Sequence, residues 1–126
     1  MRAYLIVFLG AGLGGALRHG VNLAAARLFG TAFPFGTFAV NLFGSLAMGL
    51  LAAYFTFRGE ASQSWRLFLT TGILGGFTTF SAFSLDAALL WERGEALLAL
   101  LYVAGSVALA IGGLFLGLWT VRAFVA

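Results

Sequence analysis

The sequence points to an all-α integral membrane protein with four transmembrane helices, the third of them broken, and three observations carry that expectation. Of its 126 residues, 62% are hydrophobic and only 9% charged, whereas a soluble domain carries about 25% charged residues. The chain divides into four apolar segments, roughly 3–29, 36–57, 67–91 and 96–121, each long enough to cross about 30 Å of hydrocarbon at 1.5 Å per residue. In the third segment a glycine pair, Gly75-Gly76, is followed by Thr78 and Thr79 at mid-membrane depth.

Composition also excludes function classes. The seven basic residues are all Arg and are scattered, so no nucleic acid is expected as a partner. There is no cysteine, which removes disulfides, thiolate chemistry and Cys metal sites. One histidine, His19, and four scattered carboxylates give no zinc spacing. No Ser/His/Asp grouping, carboxylate pair or phosphate loop is present, so the chain is not expected to be an enzyme.

The first segment begins with Met1-Arg2, as a signal peptide can, but it runs well past the usual apolar length of about 7–15 residues and is read as a retained span. It carries Gly10, Gly12 and Gly14, with Gly10 and Gly14 spaced for helix–helix contact. Arg18 stands at mid-span, where insertion of an unpaired arginine costs about 2.5–3.5 kcal/mol. It reads either as an inward-facing charge lining a wet vestibule or as a snorkelling anchor; His19 beside it reads as a vestibule or packing residue. In the second segment Thr37 and Asn41 lie one turn apart on one helix face. A buried amide must find partners, so Asn41 serves either an interhelical hydrogen bond or an N–H donor aimed at a passing anion.

The third segment reads Thr70-Thr71-Gly72-Ile73-Leu74-Gly75-Gly76-Phe77-Thr78-Thr79-Phe80-Ser81-Ala82-Phe83-Ser84. Non-helical backbone at that depth is tolerated only where protein or a cavity surrounds it, and broken helices there offer carbonyls to cations and amides to anions. The hydroxyls of Thr78, Thr79, Ser81 and Ser84 can replace lost hydration. Phe80 and Phe83 share a face, and the positive edge of a ring can meet an anion. Asp86, the acid inside a span, reads either as a proton carrier or as a solvated or capped carboxylate. In the fourth segment Tyr102 and Ser106 form a polar stripe that stops at Ala110 and Leu114, while Gly113 and Gly117 repeat the close-contact spacing.

Four spans place both termini on one side, with Arg2, Arg58, Arg66 and Arg122 there and Arg27 and Arg93 opposite. The excess predicts cytoplasmic termini, and its weakness permits insertion in both orientations.

At these residues the chain resembles the small bacterial fluoride channels, the Fluc or CrcB-type family. The likeness runs through the glycines ahead of Arg18, the Pro34-x-Gly36-Thr37-x-x-x-Asn41-x-x-Gly44 stretch, and the run from Gly75 to Ser84. The resemblance implies a multi-pass protein of the bacterial cell membrane, an antiparallel dual-topology homodimer with two pores, and passive, selective fluoride exit. It implies a structural Na⁺ at the dimer interface held by the backbone carbonyls of Gly75 and Thr78. It maps the pore onto Asn41, Phe80, Phe83, Tyr102 and Ser106, with Thr37 and Ser81 on the pore side. The chain departs from the family pattern at Ala82, where Thr is usual, at Asp86, where Glu is common, and at Ala110 and Leu114, where hydroxyl residues are often found. A small multidrug-type proton-coupled exporter is the competing reading. It needs a carboxylate deep in the first span, and no acid precedes Glu60.

Overall fold

Without water in the hydrocarbon layer, a spanning backbone must pair its own N–H and C=O groups, and all four apolar segments do so as helices. The computed structural model describes residues 1–58 and 63–125; Glu60 and the side chain of Arg58 lie outside that description. Helix α1 spans Arg2–Phe29 and α2 spans Phe35–Arg58. The third span, Gln63–Glu92, is assembled from α3 (Gln63–Leu67), a π-helical stretch (Phe68–Leu74), the single turn α4 (Gly75–Phe77) and α5 (Phe80–Glu92). Helix α6 runs Ala96–Val125. It continues past the expected end at 121 because a long Arg122 side chain can reach the interface without ending the helix.

Helices α1 and α2 each lie along one further span: α1 against the third, α2 against α6. Glycine permits both contacts. A Cβ at Gly10 would sit 2.8 Å from the Phe68 carbonyl oxygen and 2.9 Å from the Gly72 Cα, and one at Gly14 would overlap the Ile73 carbonyl. On the other pair, a Cβ at Gly117 would lie 2.5 Å from the Leu46 carbonyl oxygen and 2.7 Å from the Leu50 nitrogen. The spacings at Gly10/Gly14 and Gly113/Gly117 therefore serve contacts within the chain. Association rests on such backbone approach because lipid tails give apolar side chains no reason to leave them.

Arginines mark the two ends of the bundle. At one end Arg93, in the α5–α6 turn, donates from Nη2 to the Ala32 carbonyl (2.7 Å) and to Glu95 Oε2 (2.9 Å), tying that turn to the α1–α2 connection close to Arg27. At the other end Arg2 and Trp65 line one shallow cleft, and the Arg66 guanidinium lies 5.6 Å from the Phe55 ring centre. The alternation of ends expected from the sequence is the one observed.

Candidate functional site

The interruption of the third span lies at Thr78–Thr79, which are extended (φ −84°, ψ 158° and φ −154°, ψ 119°). Gly75 and Gly76 remain helical; Gly76 is there because a Cβ would overlap the Ala11 carbonyl. Extended residues in mid-membrane must pair their polar atoms elsewhere, and a few side chains do this. Thr78 returns its N–H (3.0 Å) and its hydroxyl (2.9 Å) to the Leu74 carbonyl. Asn41 faces Thr79 from α2, accepting the Thr79 N–H at Oδ1 (2.8 Å) and donating from Nδ2 to the Thr79 carbonyl (3.0 Å). The Thr79 hydroxyl accepts from Ala82 N–H (3.1 Å) and so caps α5, the role for which threonine is favoured at helix starts. Gly44, one turn along α2, leaves room for the Thr78 methyl.

This pairing has a consequence for two carbonyls. The Thr79 N–H, four residues beyond Gly75, goes to Asn41, and the Ala82 N–H, four residues beyond Thr78, goes to the Thr79 hydroxyl. Gly75 and Thr78 are thus deprived of the donors a continuous helix would give their carbonyl oxygens, and Gly75 is exposed on the protomer surface. The oxygens of a broken helix are free to meet a cation.

Beside the break a cleft of about 270 Å³ opens between α2, the start of α5 and α6. Its polar lining is Asn41, Ser45, Thr78, Thr79 and Ser106; its apolar lining is Phe80, Phe83, Val107, Ala110 and Ile111. Among the described residues no carboxylate and no charged group lines it. Phe80 and Phe83 stand with ring centres 5.7 Å apart, tilted by 48°; Phe80 is 79% exposed, at the mouth. Ser106 is only 5% exposed and its Oγ has no hydrogen-bond partner among the described residues. A buried hydroxyl without a partner costs about 1–3 kcal/mol, so Ser106 is built to meet something that enters the cleft. The positive end of the α5 dipole opens toward the same space. Amide and hydroxyl donors, ring edges and a helix N-terminus, without an acid, suit a small anion.

The sequence-expected residues divide into two groups. Asn41, Phe80, Phe83 and Ser106 come together in the cleft. Tyr102 and Thr37 do not line it: Tyr102 is 1% exposed, packed on Phe33, Phe38 and Phe83, and its hydroxyl donates to Asp86 Oδ2 (3.2 Å) with the Thr37 hydroxyl as a further neighbour. Asp86 is therefore a capped carboxylate. Ser81 is exposed outside the cleft, 3.3 Å from the Thr79 hydroxyl. Arg18 is half-buried on α1 and His19 is exposed; Arg18 has no hydrogen bond or ion pair among the described residues. Sequence reading passed over Ser45, although it stands one turn beyond Asn41 and the i, i+4 rule that joined Thr37 to Asn41 could have found it.

Comparison with known proteins agrees with this geometry. The family model described as CrcB-like protein, Camphor Resistance (CrcB), matches residues 5–118. The chain is 65% identical over 119 residues to the fluoride-specific ion channel FluC 2 of Nitrobacter hamburgensis, covering 94% of this chain and 96% of that protein. It is 66% identical over 120 residues to the fluoride-specific ion channel FluC of Rhodopseudomonas palustris, covering 95% and 97%. The corresponding protein of Granulibacter bethesdensis is 54% identical over 125 residues, covering 99% and 98%. With the broken third span and the acid-free cleft, these matches establish that the chain belongs to the CrcB-like family of multi-pass bacterial membrane proteins.

Proposed function

We propose that the chain is a fluoride-selective ion channel giving passive fluoride export across the cytoplasmic membrane. The observation that carries this reading is the acid-free cleft at the helix break, with the unpartnered Ser106 hydroxyl inside it. Fluoride is small and strongly hydrated, so its path must replace water with donors at close range. Asn41 keeps one amide hydrogen beyond that given to Thr79, and the Phe80 and Phe83 edges add positive potential without a competing charge. The names of the relatives, all ion channels specific for fluoride, point the same way. A proton-coupled exporter would need an acid in α1, and Arg2–Phe29 has none.

The working unit in this reading is an antiparallel homodimer in the lipid bilayer, with two pores. Its support is that Phe80 and Gly75 are exposed at the break, that Arg18 has no partner among the described residues, and that the arginine bias between ends is weak. The freed carbonyls of Gly75 and Thr78 fit a Na⁺ site at the dimer interface, where a hard cation takes carbonyl oxygens in place of water. When bound, Na⁺ would supply a fixed positive charge beside the anion path. Ion-replacement density on the dimer axis is the expected result for that site; an empty axis would exclude it.

The function is tested in a bacterium stripped of its own fluoride export. The wild-type chain is expected to restore growth in fluoride. Phe80→Ile and Phe83→Ile should fail to protect while accumulating in the membrane, each lowering flux at least about tenfold, since a ring-edge contact of about 1.4 kcal/mol corresponds to that factor. No protection by wild type would reject the function, and full protection by both variants would reject the ring-edge role.

A further inference from the structure

The polar stripe on α6 ends at Ser106, because Ala110 and Leu114 follow on the same face. An anion leaving Ser106 in that direction would meet only Val107, Ala110 and Ile111 from α6. Contacts at the glycines fix what stands opposite. Leu42 and Leu46 flank Gly113, Leu46 and Leu50 flank Gly117, and Gly49 meets Leu114. Helices α2 and α6 therefore run parallel, with Leu46 level with residues 113–117, so that Ser45, one residue earlier, stands near the level of Gly113 and Leu114, about a turn beyond Ala110.

Ser45 also differs from several other hydroxyls of the spans. Thr56, Thr70, Thr78, Ser84 and Thr120 each return their hydroxyl to the carbonyl four residues earlier, the usual way a helix absorbs such a group. Ser45 makes no hydrogen bond among the described residues and lines the cleft with Ser106 and Ala110. Its hydroxyl is one turn from Asn41, on the same face of α2.

We infer that Ser45 is an ion-contacting residue of this channel, carrying the hydroxyl path from α6 across to α2 over the stretch where α6 has only Ala110 and Leu114. The inference rests on the fluoride-channel reading above. An ion passing Asn41 and Ser106 would take the Ser45 O–H as its next donor, so the alanine at 110 leaves no gap in the chain of donors.

The test is fluoride efflux from liposomes holding purified wild type, Ser45→Ala, and the double variant Ser45→Ala/Ala110→Ser, with elution volume in gel filtration as the check on folding. Ser45→Ala is expected to slow efflux about tenfold, the order set by one lost hydrogen bond to an ion. The double variant, which returns a hydroxyl to the same cleft from α6, is expected to recover to within about threefold of wild type. Unchanged efflux in Ser45→Ala would overturn the inference. So would a loss that Ala110→Ser does not repair, because packing at Ser45 would then be the cause. Absence of fluoride efflux in the wild type would instead overturn the channel reading itself, and this inference with it.

Discussion

Asn41→Ala is expected to cut fluoride efflux severely and to loosen the helix break together. The Asn41 amide accepts the Thr79 N–H at 2.8 Å and donates to the Thr79 carbonyl at 3.0 Å, and it keeps a second amide hydrogen at a residue that lines the cleft. Removing it leaves two backbone groups unpaired at about 1–3 kcal/mol each and takes a donor from the ion. Flux should fall by on the order of a hundredfold, which about 2.7 kcal/mol of lost ion stabilisation produces. Asn41→Asp separates the two effects. It keeps the acceptor for Thr79 N–H and the shape, but loses the donor to the Thr79 carbonyl and sets a negative charge where the anion passes. The Thr79 N–H keeps its acceptor, and efflux should fall at least as far as in Asn41→Ala. Efflux near the wild-type rate in Asn41→Asp would show that the side chain only braces the break.

Gly14→Val should prevent the protein from assembling at all. Any Cβ at Gly14 overlaps the Ile73 carbonyl oxygen and comes within 2.8 Å of the Phe77 nitrogen. These are backbone atoms at the start of the break, so no side-chain rotation relieves the clash. Overpacking of this kind costs about 1–3 kcal/mol or more, and here it also pushes α1 from the π-helical stretch along Gly10 and Gly72. The expected outcome is loss of the folded species in gel filtration. Gly12→Val, at a position where an added Cβ meets nothing within 4 Å, should leave it intact. Equal yields of the two variants would contradict the close α1 packing.

The sequence made the spans legible because a membrane helix is marked by length and hydropathy alone, and their ends moved by only a few residues. The break was legible in kind but not in place. Gly75 and Gly76 read as helix breakers, yet they are helical and serve the approach to α1, while Thr78 and Thr79 carry the extended backbone. Intrinsic propensity cannot separate those two uses of glycine, because both depend on what lies across the interface. The π-helical stretch Phe68–Leu74 left no trace in periodicity, being a product of packing on Gly10 and Gly14. Asn41 stood between two roles in the sequence, and its bonds to Thr79 fill the bracing role while leaving a donor for the other. Tyr102 shares a helix face with Ser106 but turns its hydroxyl to Asp86, a partner 16 residues earlier in the chain that spacing could not reveal.

Ion efflux from liposomes containing only the purified wild-type protein, with fluoride and chloride followed by separate electrodes at two pH values, decides whether the acid-free cleft conducts. Rapid loss of fluoride, negligible loss of chloride and the same rate at both pH values are expected of a passive, donor-lined path. Chloride leaving as fast as fluoride, a rate that follows the proton gradient, or no fluoride movement through folded protein would contradict it.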